Sequence, residues 1–207
     1  MGDPSGIGPQ IILKALSVLK GLADFVVIGA GFVLNKAAKL LHKSSLVLHP
    51  SSFVDLNNIN PSGFKFGKLK PEYGRASLEY IDTALDLINT GELDALVTAP
   101  VSKEAINKAG FKFSGHTEYL AKKSRVANFA MMLLNPRLKT VLLTRHIAIN
   151  RVSANINKKE LINTISMTYQ GLKQYFSIKH PRLAVCGLNP HASDNGVIGK
   201  EENKIIK

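Results

Sequence analysis

The feature that most restricts this chain is the exchange of two hydrophobic periods along nearly all of its length. Residues 9–20, PQIILKALSVLK, have helical spacing and put Pro9 in the first turn, where a missing N–H costs nothing. FVVIGA (25–30) then reads as a strand, 32–42 as a helix and SLVLH (45–49) as a short strand. A stretch rich in Pro, Ser and Gly over 49–73 is expected to be loop. RASLEYIDTALDLINTG is a long helix, apolar at 78, 81, 84, 85 and 88, with Gly91 just past its end. LDALVTAP (93–100) is a strand stopped by Pro100, and SKEAINKAG and SGHTEYLAKKS are two short helices. FAMMLLN, LKTVLLTRH and RLAVCGLNP (182–190) are expected strands, with a helix over 158–175 before the last. Strands that alternate with helices pair in parallel through helical crossovers, so the fold class is α/β, mainly parallel sheets flanked by helices.

The 207 residues suffice for one large α/β domain or two small ones. No apolar run reaches the roughly 18 residues of a membrane span, and no basic-then-apolar leader is present, so a cytoplasmic, membrane-free protein is expected. The single cysteine, Cys186, excludes an internal disulfide and is expected to be packed in a buried strand. The net charge of +12 raises nucleic-acid binding. Its lysines are scattered, with no basic arm and no basic–aromatic interleaving, so no nucleic-acid partner is expected; a general attraction for small anions is.

Gly29-Ala30-Gly31, at the end of a strand and the start of a helix, imitates a dinucleotide fingerprint. Leu34 occupies the third glycine position, and the next strand ends in VLHPSS with no carboxylate before Asp55. The pair is better read as turn chemistry than as a cofactor site.

Four other stretches carry more. Three place polar groups beyond an expected strand end, where open α/β sheets collect ligands: Ser102 and Lys103 after LDALVTAP, His146 after VLLT, and His191 after AVCGLNP. In the fourth, Gly115, His116 and Thr117 open a helix whose unpaired N–H groups suit a phosphate or carboxylate. Each has an ordinary explanation alone; together they suggest one site. Two imidazoles can hold a divalent ion, although a stable site needs a further ligand that no spacing here supplies.

GDPSGIGPQ, ALVTAPVSK, FSGHTEYLA, MMLL and VCGLNPHASDNGVIGKEE, in this order along the chain, resemble the 4-hydroxythreonine-4-phosphate dehydrogenase family of pyridoxine biosynthesis. The resemblance implies an isocitrate/isopropylmalate dehydrogenase-like fold of two α/β/α domains with a cleft between them. A first domain over 1–112 would be completed by a C-terminal segment, and a second over 113–207 would carry the substrate and metal residues. The family's substrate-binding pair falls on His116 and Thr117, and two of its metal-binding histidines on His146 and His191. Its third metal histidine and remaining phosphate-binding residues belong to a C-terminal third absent from this sequence, and Gln10 stands where an acid usually follows GIGP.

The activity so implied is oxidation of 4-phosphooxy-L-threonine to 2-amino-3-oxo-4-phosphooxybutanoate, with hydride passing to NAD, then decarboxylation to 3-amino-2-oxopropyl phosphate. The resemblance implies a divalent cation (zinc, magnesium or cobalt) and a homodimer sharing its active sites. Lys103 is the one candidate proton acceptor, its pKa to be lowered by a nearby cation and burial. Oxidation of a related substrate such as threonate or erythronate 4-phosphate, and an inactive ligand-binding fragment, remain alternatives.

Overall fold

The computed structural model describes residues 1–19, 21–42 and 52–207. Their contacts separate two units, Met1–Arg125 and Val126–Lys207.

In the first unit, α1 (Gly8–Val18), β1 (Val27–Gly29), α2 (Gly31–Leu40) and β2 (Phe53–Asp55) precede α3 (Pro71–Asn89), α4 (Lys103–Lys108) and α5 (His116–Lys123). β1 and β2 pair in parallel, Val27 opposite Phe53 and Gly29 opposite Asp55, with α2 in the connection between them. All of β1 is buried, as a parallel strand covered on both faces should be. β2 lies inside the stretch expected to be loop; three residues are too few to show a period. SLVLH lies outside the described residues.

α3 holds the unit together because its apolar residues point two ways. Tyr73, Ala76, Tyr80 and Ala84 join a core with Leu13, Val33 and Phe64, while Leu78 and Ile81 meet Ile106 and Phe113. Removing this apolar area from water, at roughly 25 cal/mol per Å2, is what fixes the helix. α3 and α4 approach so closely that a Cβ on Gly74 would overlap the Ala105 carbonyl. Ser102 caps α4, its side chain accepting from the Ala105 N–H at 3.1 Å.

The N-terminal glycine loop bridges two parts of this unit. The Met1 ammonium donates to the Ile28 carbonyl of β1 at 2.7 Å, and the Asp3 N–H to the Pro100 carbonyl at 2.9 Å. Gly2 has φ +73 and packs against the Ala99 and Pro100 carbonyls, where a side chain has no room.

The second unit contains β3 (Met131–Leu134), β4 (Lys139–Leu142) and α6 (Lys158–Phe176). β3 and β4 pair antiparallel, Met131 opposite Leu142. Their connection is too short for a crossover, and Asn135 Oδ1 closes it by accepting from the Arg137 and Leu138 N–H groups. α6 starts at Asn157, whose side chain accepts from the Glu160 N–H at 2.9 Å.

Three strand expectations are corrected. Residues 93–100 and 182–190 form no strand, and the strand before His146 stops at Leu142. An apolar run becomes a strand only when a neighbour supplies ladder bonds, and among the described residues neither 93–100 nor 182–190 has one. Val97 is accordingly 91% exposed, and Cys186, expected to be buried, is exposed. The contacts divide the chain after Arg125, and Phe113, Tyr119 and Leu120 pack with the α3–α4 cluster.

Candidate functional site

The Gly31 N–H at the start of α2 donates to Asp55 Oδ1 at 2.9 Å, and a Cβ on Gly31 would collide with the same carboxylate. The chain's own acid from the end of β2 therefore takes the place that an anion would occupy at a helix start. Gly31 serves that close approach.

The start of α5 is different. Gly115, its N-cap, is fully extended and supplies no side-chain cap. The first acid of the helix is Glu118, one of whose oxygens, Oε2, is enclosed without a hydrogen-bond partner; His116 Nε2 is in the same condition. Enclosed polar atoms without partners are costly, so a ligand that satisfied them would gain from it. His116 is half-buried with its ring edge-on to Phe113 at 6.0 Å. Burial first, and then the positive charge of Lys103, hold its pKa below the usual 6.5. The imidazole is thus neutral at pH 7 and can donate from one nitrogen and accept at the other. Thr117 is half-buried beside it in sequence, and Lys103 is exposed at the first position of α4.

The orientation of α5 comes from α3. Asp82 accepts from the Tyr119 hydroxyl at 2.8 Å and from Lys123 Nζ at 2.7 Å, a two-point tie across helices. Burial pushes the Tyr119 phenol up to about 12, so it remains a donor throughout the working range. His116 also contributes to the wall of an open, mainly apolar cleft of about 800 Å3, with Ile12, Leu16, Val27, Ala84 and Leu96.

In the second unit, His146 lies beyond the end of β4, and His191 lies in the turn Pro190–Gly196. Both side chains are exposed, and both residues have left-handed backbone, φ 52 and φ 51. Histidine tolerates this region better than most residues, and strain of this kind collects at functional sites. His191 Nδ1 is 3.2 Å from Asp194 Oδ2, which leaves Nε2 outward. A carboxylate on one ring nitrogen is the usual support for a histidine that binds metal through the other. Imidazole nitrogen is by its chemistry a donor for divalent cations of borderline softness. Among the described residues, no three His, Cys, Asp or Glu side chains gather into a metal-binding group.

Sequence reasoning passed over Glu118, Asp82 and Glu202. Glu118 stands inside the quoted SGHTE motif, and Glu202 ends GKEE; both were legible as candidates. Asp82 was not, since its partners lie 37 and 41 residues away.

Residues 21–207 match the protein-family model described as pyridoxal phosphate biosynthetic protein PdxA. A 4-hydroxythreonine-4-phosphate dehydrogenase of Sulfurihydrogenibium sp. is 38% identical over 214 residues, covering all of this chain and 66% of its own length. A D-threonate 4-phosphate dehydrogenase of Pectobacterium atrosepticum is 35% identical, with 100% of this chain and 67% of its own covered. The crystal structure of the Klebsiella pneumoniae 4-hydroxythreonine-4-phosphate dehydrogenase matches with a TM-score of 0.86 at 32% identity, over 100% of this chain and 66% of that one. The α/β class of the fold is thereby established. The chain spans just under two thirds of the first relatives it matches, 66% and 65%.

Proposed function

The chain belongs to the pyridoxal phosphate biosynthetic protein PdxA family, and from that premise we propose that it is a dehydrogenase chain acting on 4-phosphooxy-L-threonine. The observation that carries this reading is the 38% identity, over the whole of this chain, to a relative named for that activity. The reaction is oxidation of the hydroxyl β to the substrate carboxylate, with NAD as hydride acceptor, followed by loss of carbon dioxide. The product is 3-amino-2-oxopropyl phosphate.

His116, Thr117 and the uncapped start of α5 bind the anionic substrate. The α5 N–H groups carry partial positive charge toward a phosphate or carboxylate, and His116, whose protonated form is disfavoured by burial and by Lys103, adds a directional hydrogen bond. Lys103 adds positive charge on the same unit; it is exposed, so the burial expected to make it a proton acceptor is absent. His146 and His191 hold a divalent cation, zinc, magnesium or cobalt. When bound, that cation supplies Lewis-acid chemistry, lowering the pKa of the substrate hydroxyl. Asp194 keeps the His191 ring in one orientation. The family resemblance supports a homodimer that shares its active sites, and the exposed apolar side chains of the second unit, Leu133, Leu134 and Ile149 among them, offer surface for one.

A second reading is favoured by the 35% identity to a D-threonate 4-phosphate dehydrogenase, since an anion-holding helix start and two imidazoles serve either substrate. The test is NADH formation from 4-phosphooxy-L-threonine and from D-threonate 4-phosphate, with zinc, magnesium or cobalt and with chelator. Turnover of the first at the higher kcat/KM, abolished by chelator, is the expected outcome. Preference for the second substrate selects the alternative. No turnover of either, with no metal uptake in titration, would mean a binding fragment.

A further inference from the structure

The turn that presents His191 is built against the backbone's own preference. His191, Ala192, Ser193, Asp194 and Asn195 all have left-handed φ, between 44 and 73, and none of them is glycine. Such residues appear singly in most proteins, and a run of five persists only where surrounding contacts over-determine it. The side-chain bonds that meet the turn on both sides of the histidine centre on one carboxylate. Glu202 is 2% exposed, and its carboxylate sits beneath the turn. Oε1 accepts from the Asn189 backbone N–H at 2.6 Å, while Oε2 accepts from Asn189 Nδ2 at 3.0 Å and from the Ser193 hydroxyl. Asn189 and Ser193 stand two residues before and two residues after His191, so one buried carboxylate grips the turn on both sides of the histidine.

Ser193 is itself fully buried, and its hydroxyl points inward to Glu202 while His191 points to solvent at 78% exposure. Inward-facing Ser193 and outward-facing His191 are two consequences of the same clamp. Glu201 reinforces it from the neighbouring position, accepting from Asn189 Nδ2 at 3.0 Å and from the Ser153 hydroxyl. The donors converging on Glu202 hold its carboxyl far below the usual range, at about 2, so the grip is ionised at every working pH.

We propose that Glu202 is a positioning residue that fixes the strained turn 190–196 and so aims His191. The proposal deepens the metal-binding reading of His191 and rests on it for its functional meaning, although the clamp itself is a property of the metal-free protein. Glu202→Gln keeps the size of the side chain but leaves one acceptor oxygen and turns the other into an NH2 facing existing donors.

The experiment compares backbone hydrogen exchange and Co2+ titration in the wild-type protein, E202Q and S193A. The expected result is exchange at least about tenfold faster over 187–199 in E202Q, with α6 unchanged, and Co2+ affinity lower by about ten- to a hundredfold. Should E202Q unfold the unit, S193A, which loses one of the bonds, should give a smaller rise over the same segment. Wild-type exchange in both variants overturns the proposal, as does faster exchange with unchanged Co2+ affinity. A wild-type protein that takes up no Co2+ would defeat the metal reading of His191, and exchange alone then decides for or against the clamp.

Discussion

His116 concentrates the chemistry that a single residue can show. Burial and Lys103 both disfavour its protonated form. We therefore expect its imidazole, followed by NMR, to titrate below 6.5, and Lys103→Met to move the titration upward. The direction also sets a pH dependence of stability. The folded pKa is depressed, so below pH 6.5 the unfolded chain binds more protons at this residue than the folded one. Stability should fall as pH drops below 6.5 toward the folded pKa. His116→Gln should flatten that part of the profile, read from urea midpoints. The motif SGHTE announced His116, whereas its neutral state depends on Phe113 and Lys103 around it.

At the scale of elements, the helices were legible and the strands were less so. All six described α-helices overlap the segments where periodicity and stop signals put them, because a helix satisfies its own hydrogen bonds and needs little from its neighbours. α3 nevertheless starts at Pro71, inside the stretch expected to be loop. Residues 93–100 and 182–190 have the composition of strands but no described partner, and a strand is a relation between two segments. Two substitutions probe the helices. Gly74→Ala drives a methyl into the α4 backbone and should destabilise the first unit by about 1–3 kcal/mol or more, measured by urea unfolding. Ser102→Ala removes the α4 cap and should cost about 1 kcal/mol in the same assay.

Across the whole molecule, charge is the property that acts without a fold. With 27 basic and 15 acidic residues, the chain carries a field that favours anionic ligands. Affinity for the proposed phosphorylated substrate should therefore weaken severalfold as salt rises from about 0.02 to 0.3 M, because the Debye length shrinks below the spacing of scattered charges. Calorimetric titration at several salt concentrations checks this, and a salt-independent affinity would place the recognition wholly in short-range contacts.

By itself the sequence determined the α/β class, the helices, the family and the residues worth testing, since these follow from local periodicity and short motifs. Only tertiary structure decided that Asp55 fills the anion position at α2, that Asp82 orients α5, and that Glu202 grips the turn around His191. Each of those depends on side chains brought together by burial of the surrounding apolar surface, and no spacing along the chain encodes such a meeting directly.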